Sequence, residues 1–132
     1  MKKMFFVLLA AILFSFIIFA YVAHKVRVNF VDDNNISIRV RETDDIYQLN
    51  ASYRRNQTAR LQRYMDARLH TNHLFKNSRM DATVTLDDKT SFYVRSSPGR
   101  LLIKLDKNAN DEASYIRIKE LAEDIKHTLA DN

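Results

Sequence analysis

The sequence predicts an α+β domain: one antiparallel six-stranded sheet in βββα-βββα order with two helices on one face, behind an apolar N-terminal segment. Three observations carry this. Six short stretches alternate apolar and polar residues, two longer ones repeat apolar residues at helical spacing, and Met4 to Ala23 is uncharged. Residues 1–23 are the expected membrane segment and residues 24–132 a single domain.

The N-terminal segment follows a short basic start, Lys2-Lys3, and is closed by His24, Lys25 and Arg27. As a helix, a run of about twenty residues spans roughly 30 Å, the thickness of a bilayer's hydrocarbon core. It is longer than a usual secretory signal core, and its cleavage motifs are poor. Cutting after Ala23 puts Tyr21 at the −3 position, and cutting after Ala20 puts Ile18 there. The expected state is a retained single-pass anchor at residues 4–23 with the C-terminal domain on the extracytoplasmic side. The alternative is a domain secreted after signal cleavage.

Within the domain, Val26, Val28 and Phe30 alternate with polar residues, then Ile36, Ile38 and Val40, then Tyr47, Leu49, Ala51 and Tyr53. Asp32–Asn35 and Thr43–Asp45 supply the turns, so three strands form a meander. Asn56 reads as a helix N-cap, followed by Leu61, Tyr64, Met65 and Leu69 on one helical face ending near His70. Met80, Ala82, Val84 and Leu86 mark a fourth strand, Phe92 and Val94 a fifth, and Leu101, Ile103 and Leu105 a sixth. Ser97-Pro98-Gly99-Arg100 sits between the last two as a turn. Asn110 or a neighbour caps a last helix, whose apolar stripe is Tyr115, Ile118, Leu121, Ala122, Ile125 and Leu129. The two halves align at an offset near 54 positions, with Leu49 over Ile103 (103 − 49 = 54). Two halves of like strand order would be consistent with a duplication.

Composition narrows function by exclusion. The chain has no cysteine, which removes disulfides, thiolate metal sites and cysteine nucleophiles. Its single glycine, Gly99, is too few for a loop that cradles phosphates. No serine sits in a G-x-S-x-G elbow, and the acid pairs Asp32-Asp33, Asp44-Asp45 and Asp87-Asp88 fall in expected turns. A non-enzymatic protein without a cofactor is the expectation.

Two stretches hold residue types that bind metal. Asp66, His70 and His73 share one face if the first helix continues through them, and would support a metal-assisted enzyme as an alternative function. Asp106-Lys107-Asn108-Ala109-Asn110 begins like a calcium loop, but the positions for its glycine and bidentate glutamate hold Asp111 and Arg117. It reads as a capping turn.

The net charge is +5, and removing Lys2 and Lys3 leaves +3 for the rest (5 − 2 = 3). Two surfaces gather the cations. The first helix and its flanks carry Arg54, Arg55, Arg60, Arg63, Arg68, Lys76 and Arg79 against Asp66. The sheet face away from the helices is expected to carry Arg27, Arg39, Arg41, Tyr93, Arg95, Leu102 and Lys104. An arginine and tyrosine patch is typical of protein interfaces, so Arg39, Arg41, Tyr93, Arg95 and Lys104 are the expected partner contacts. The partner would be a protein, an anionic envelope polymer or a lipid surface; nucleic acid is not expected. A third reading is a structural subunit of a membrane-associated oligomer that pairs through a free strand edge.

Overall fold

The structure, a computed structural model, describes residues 36–76 and 79–131, and Asn29–Asp33 by their backbone alone. Five strands are named here: β1 Ile36–Glu42, β2 Ile46–Ser52, β3 Met80–Thr85, β4 Ser91–Ser97 and β5 Arg100–Asp106. The two α-helices are α1, Thr58–Leu69, and α2, Glu112–Ala130. The strands form one antiparallel sheet in the order β1-β2-β5-β4-β3. The expected N-terminal helix and residues 26–28 of the first expected strand lie outside the described residues. Among the described residues, no helix is long and apolar enough to cross a membrane.

Alternation sets which side each strand buries. Ile36, Ile38 and Val40 of β1, Tyr47, Leu49 and Ala51 of β2, and Leu101, Ile103 and Leu105 of β5 face the core. Phe92 and Val94 of β4 join them. Helix α2 covers this side with Ile118, Leu121, Ala122, Ile125 and Leu129, and α1 with Leu61, Met65 and Leu69. One contiguous core results.

Among the described residues, β1-β2-α1 and β4-β5-α2 share an order: each is a hairpin that ends in a strand at the middle of the sheet and is followed by a helix. The registers share more. The central pair β2·β5 sets Leu49 opposite Ile103, Ile46 opposite Asp106 and Ser52 opposite Arg100. Moving each residue by 54 positions exchanges the last two pairs (46 to 100, 106 to 52) and maps the first onto itself. The same shift carries the β1·β2 pair Arg39↔Asn50 onto the β4·β5 pair Tyr93↔Lys104. It also carries Thr58, the start of α1, onto Glu112, the start of α2. A pseudo-twofold axis therefore passes through the Leu49–Ile103 pair. The halves diverge in their helices, of 12 and 19 residues.

Local chemistry departs from expectation at two places, the start of α1 and the edge strand β3. Asn56 is not a cap: Arg55–Gln57 is a turn of 3₁₀ helix, and α1 follows Gln57 without a side-chain cap bond. Thr58 instead uses its hydroxyl to accept from the Gly99 amide at 2.9 Å, tying α1 to the β4–β5 turn. That turn needs its glycine. Gly99 has φ of 79°, and a Cβ there would stand 2.8 Å from the Tyr53 carbonyl oxygen. On the edge strand β3, Ala82 is exposed although expected inside; only Val84 of that strand is buried. Edge strands have fewer neighbours to bury against. At α2 the cap is Asp111, which accepts from the Ser114 amide at 2.7 Å.

Candidate functional site: the open sheet face

The strand registers place the out-pointing side chains in rows across the sheet. One row runs Arg39, Asn50, Leu102, Arg95, Asp81, from β1 through β2, β5 and β4 to β3. The next runs Arg41, Gln48, Lys104, Tyr93, Thr83. On the other side of the first row lie Ser37, Ser52, Arg100 and Ser97. All five side chains expected as contacts thus share one face and two adjacent rows. Arg39, Arg41, Arg95 and Lys104 are exposed, and Tyr93 is half-buried. Arg27 lies outside the described residues.

The rows enclose a shallow groove of about 530 Å³. Asn50 and Leu102 lie between its two flanking arginines, Arg39 and Arg95, and Arg100 stands one row away with the hydroxyls of Ser37, Ser52 and Ser97. Arg41, Tyr93 and Lys104 flank the groove without lining it. Arg100 was missed as a contact because the turn chemistry of Pro98-Gly99 claimed it. The alternation Arg100, Leu102, Lys104 was the signal for it, since these residues share a face.

Charge on this face is poorly compensated. Among the described residues, Arg41, Arg95, Arg100 and Lys104 form no ion pair, whereas Arg39 is engaged by an interaction of its own. Among the described residues, the carboxylates of the face, Asp81 and Asp106, stand at its margins. Asp81 accepts the Tyr93 hydroxyl at 2.6 Å, which raises the Tyr93 pKa.

The helical cations are differently placed. Arg68 pairs with Asp124 at 2.9 Å and Arg117 with Asp88 at 2.6 Å, and Arg54 and Arg60 are also engaged. At one end of the core, Glu42 accepts from Lys107 at 3.0 Å and from the Tyr115 hydroxyl, with Lys119 at 3.9 Å. Burial pushes the Glu42 pKa up, but these hydrogen bonds and the two ammonium charges outweigh it and leave the pKa lowered. Lys107 lies 4.5 Å from the Tyr115 ring centroid, and Tyr115 meets Tyr47 edge-on at 6.0 Å. This cluster fastens α2 to the end of β1.

The alternative metal constellation does not assemble. Helix α1 ends at Leu69, and His70 and His73 both adopt left-handed backbone, with φ of 55° and 56°. They are therefore not on one helical face with Asp66. The Asp66 carboxylate accepts from the Thr71 hydroxyl at 2.6 Å and from the Phe75 amide at 3.1 Å, closing the chain back over the helix end. No group of three histidine or acidic residues suited to a metal occurs among the described residues. The Asp106–Glu112 stretch likewise spends its oxygens locally. Asp106 accepts from the Asn108 amide at 2.9 Å, and Asn110 bridges the Ser91 backbone with bonds of 2.8 and 2.9 Å.

Compared with known proteins, the chain matches no family model, no curated protein and no solved structure.

Proposed function

We propose that this chain is a non-enzymatic binding domain, held at a membrane by residues 4–23 with its domain on the extracytoplasmic side, that engages a polyanionic partner through the open sheet face. One observation carries the reading: Arg41, Arg95, Arg100 and Lys104 share one face of the sheet and form no ion pair among the described residues. Exposed cations in no ion pair among the described residues are available to an outside anion, and arginine presents a planar fork to carboxylate or phosphate. The proposal includes a sixth strand, Asn29–Asp33, antiparallel to β1 with Val31 opposite Ile38. That strand would extend the open face beyond Arg39 and Arg41.

The test is chemical footprinting of lysines on the full-length protein in its native membranes. Lys104 on the open face and Lys89 in the β3–β4 turn are both exposed. The expected result is that Lys104 is shielded from an amine-reactive reagent, that Lys89 is not, and that a high-salt wash removes the shielding. Equal modification of both lysines in membranes and in purified protein would refute the reading.

A further reading as an oligomer subunit draws on β3, whose outer edge has no partner strand among the described residues and whose Asp81, Ala82 and Thr83 are exposed. Asp81 places a charge on that edge, which opposes strand addition.

A further inference from the structure

We infer that the anion met by the open face is the phospholipid headgroup layer of the same membrane that holds residues 4–23. This rests on the binding reading above and names its partner.

Charge is the first argument. Arg39 and Arg95 stand three strands apart in one row, roughly 14 Å at the usual strand spacing. Arg100 and Lys104, four residues apart on β5, span about the same distance along the strand. These four cations, with Arg41 at the corner, ring the Asn50–Leu102 pair. The ring is broad, and the groove within it is shallow and open. A lamella of phosphates offers charge over such an area, whereas a single small anion would touch only one side of it.

Composition of the face agrees. Leu102 and Tyr93 are half-buried among the cations. An apolar side chain beside an amphipathic ring and basic side chains is the mixture that suits the boundary between headgroups and acyl chains.

The tether is short. Only residues 24–28 separate Ala23 from Asn29, and a chain of that length reaches at most about 20 Å when fully extended. The proposed sixth strand then runs beside β1, with Phe30 opposite Arg39. A domain tethered so briefly, through the strand next to Arg39 and Arg41, has its basic face within reach of the headgroups at every moment. Each basic residue near an anionic leaflet favours the docked state roughly fivefold, and the effect decays over a Debye length of about 8 Å.

The chain has no cysteine, so one introduced thiol is a unique reporter. Full-length protein carrying Ser52→Cys on the open face, or Glu120→Cys on the exposed side of α2, is labelled with a fluorophore and reconstituted into nanodiscs. The discs hold phosphatidylcholine alone or with phosphatidylglycerol, and a quencher is borne on the headgroups. The expected result is quenching at position 52 only in the anionic discs, and none at position 120. Arg95→Gln, Arg100→Gln and Lys104→Gln together should lower the ratio of docked to undocked protein about 100-fold. Molar salt, which shortens the Debye length to about 3 Å, should act likewise on the unaltered chain, where folding of a variant is not at issue. Position 52 responding equally in both lipids, or position 120 responding in its place, overturns the inference. No docking in discs with Lys104 still shielded in native membranes also overturns it, leaves the binding reading standing and assigns the face to a protein or polymer. No docking and no shielding removes both.

Discussion

The joint between the two halves is the part of the fold on which the candidate site most depends, because only the β2·β5 pairing brings Arg39 and Arg41 onto one face with Arg95 and Lys104. Leu49→Ala and Ile103→Ala probe it from either side. Both side chains are 0% exposed, and the two residues lie directly opposite one another. Each substitution deletes about three methyl or methylene groups, worth about 2.4 kcal/mol of burial at about 0.8 kcal/mol each. A residual cavity of roughly 50 Å³ adds about 1.2 kcal/mol. Each variant should therefore lose about 3.5 kcal/mol, a large part of the 5–15 kcal/mol typical of a domain's total, as an order-of-magnitude figure. Pseudo-symmetry predicts losses matched to within about 1 kcal/mol. The double variant should fall short of or exceed the sum by at least about 0.5 kcal/mol, because the two deletions open onto each other. Urea unfolding of the detergent-solubilised chain, followed by circular dichroism, reads all three. A loss under about 1 kcal/mol for either single variant would refute a sheet built around this pair, given what buried Leu or Ile deletions cost. Strict additivity would refute their direct apposition.

Two further outcomes follow from the same structure. Gly99→Ala places a Cβ 2.8 Å from the Tyr53 carbonyl and forces φ of 79° on an L-residue. It also disturbs the Gly99 amide bond to Thr58 and the Tyr53 amide bond to the Gly99 carbonyl, both 2.9 Å. A loss of about 2–4 kcal/mol is expected in thermal or urea unfolding; an unchanged midpoint would contradict the turn geometry. Glu42 has a folded-state pKa below its ordinary value, so its contribution is fully present above pH 4.5, the unfolded value, and is lost as pH falls through the folded one. Glu42→Gln should destabilise the protein at neutral pH, and the gap to the parent chain should close on acidification. A gap that stays constant down to the acid limit would show that the carboxylate charge contributes nothing.

The sequence carried period and turn chemistry well, and these were enough to put Arg39, Arg41, Tyr93, Arg95 and Lys104 on one face, because each strand's own alternation decides that. It did not carry strand order. The β2·β5 pairing joins residues far apart in the chain, and nothing local announces it, so the groove between Arg39 and Arg95 was out of reach. The left-handed turn at His70 was equally hidden. Histidine enters that conformation more readily than most side chains, but no glycine marked the stop. A helix continued through it joins Asp66, His70 and His73 in a cluster that the structure takes apart. Arg100 was obscured by the opposite error, a turn signal strong enough to draw a strand residue into it. The repeat at 54 positions was legible because strand lengths and turn spacings recur, although the side chains on the open face have diverged. Arg41 and Arg95 are equivalent under the shift, but Arg39 meets Tyr93 and Asn50 meets Lys104 (39 + 54 = 93, 50 + 54 = 104). The four central strands are symmetric in register while the side chains on their open face are not.

The most direct measurement of the central claim is photo-crosslinking from the full-length protein in its own membrane, with the reactive side chain placed either at Asn50, in the middle of the open face, or at Ile116, 44% exposed on α2. The account predicts adducts from position 50, to lipid or to protein, and none from position 116. Adducts from position 116 with none from position 50 would mean that the helical side is the working surface and the basic face is only solvated.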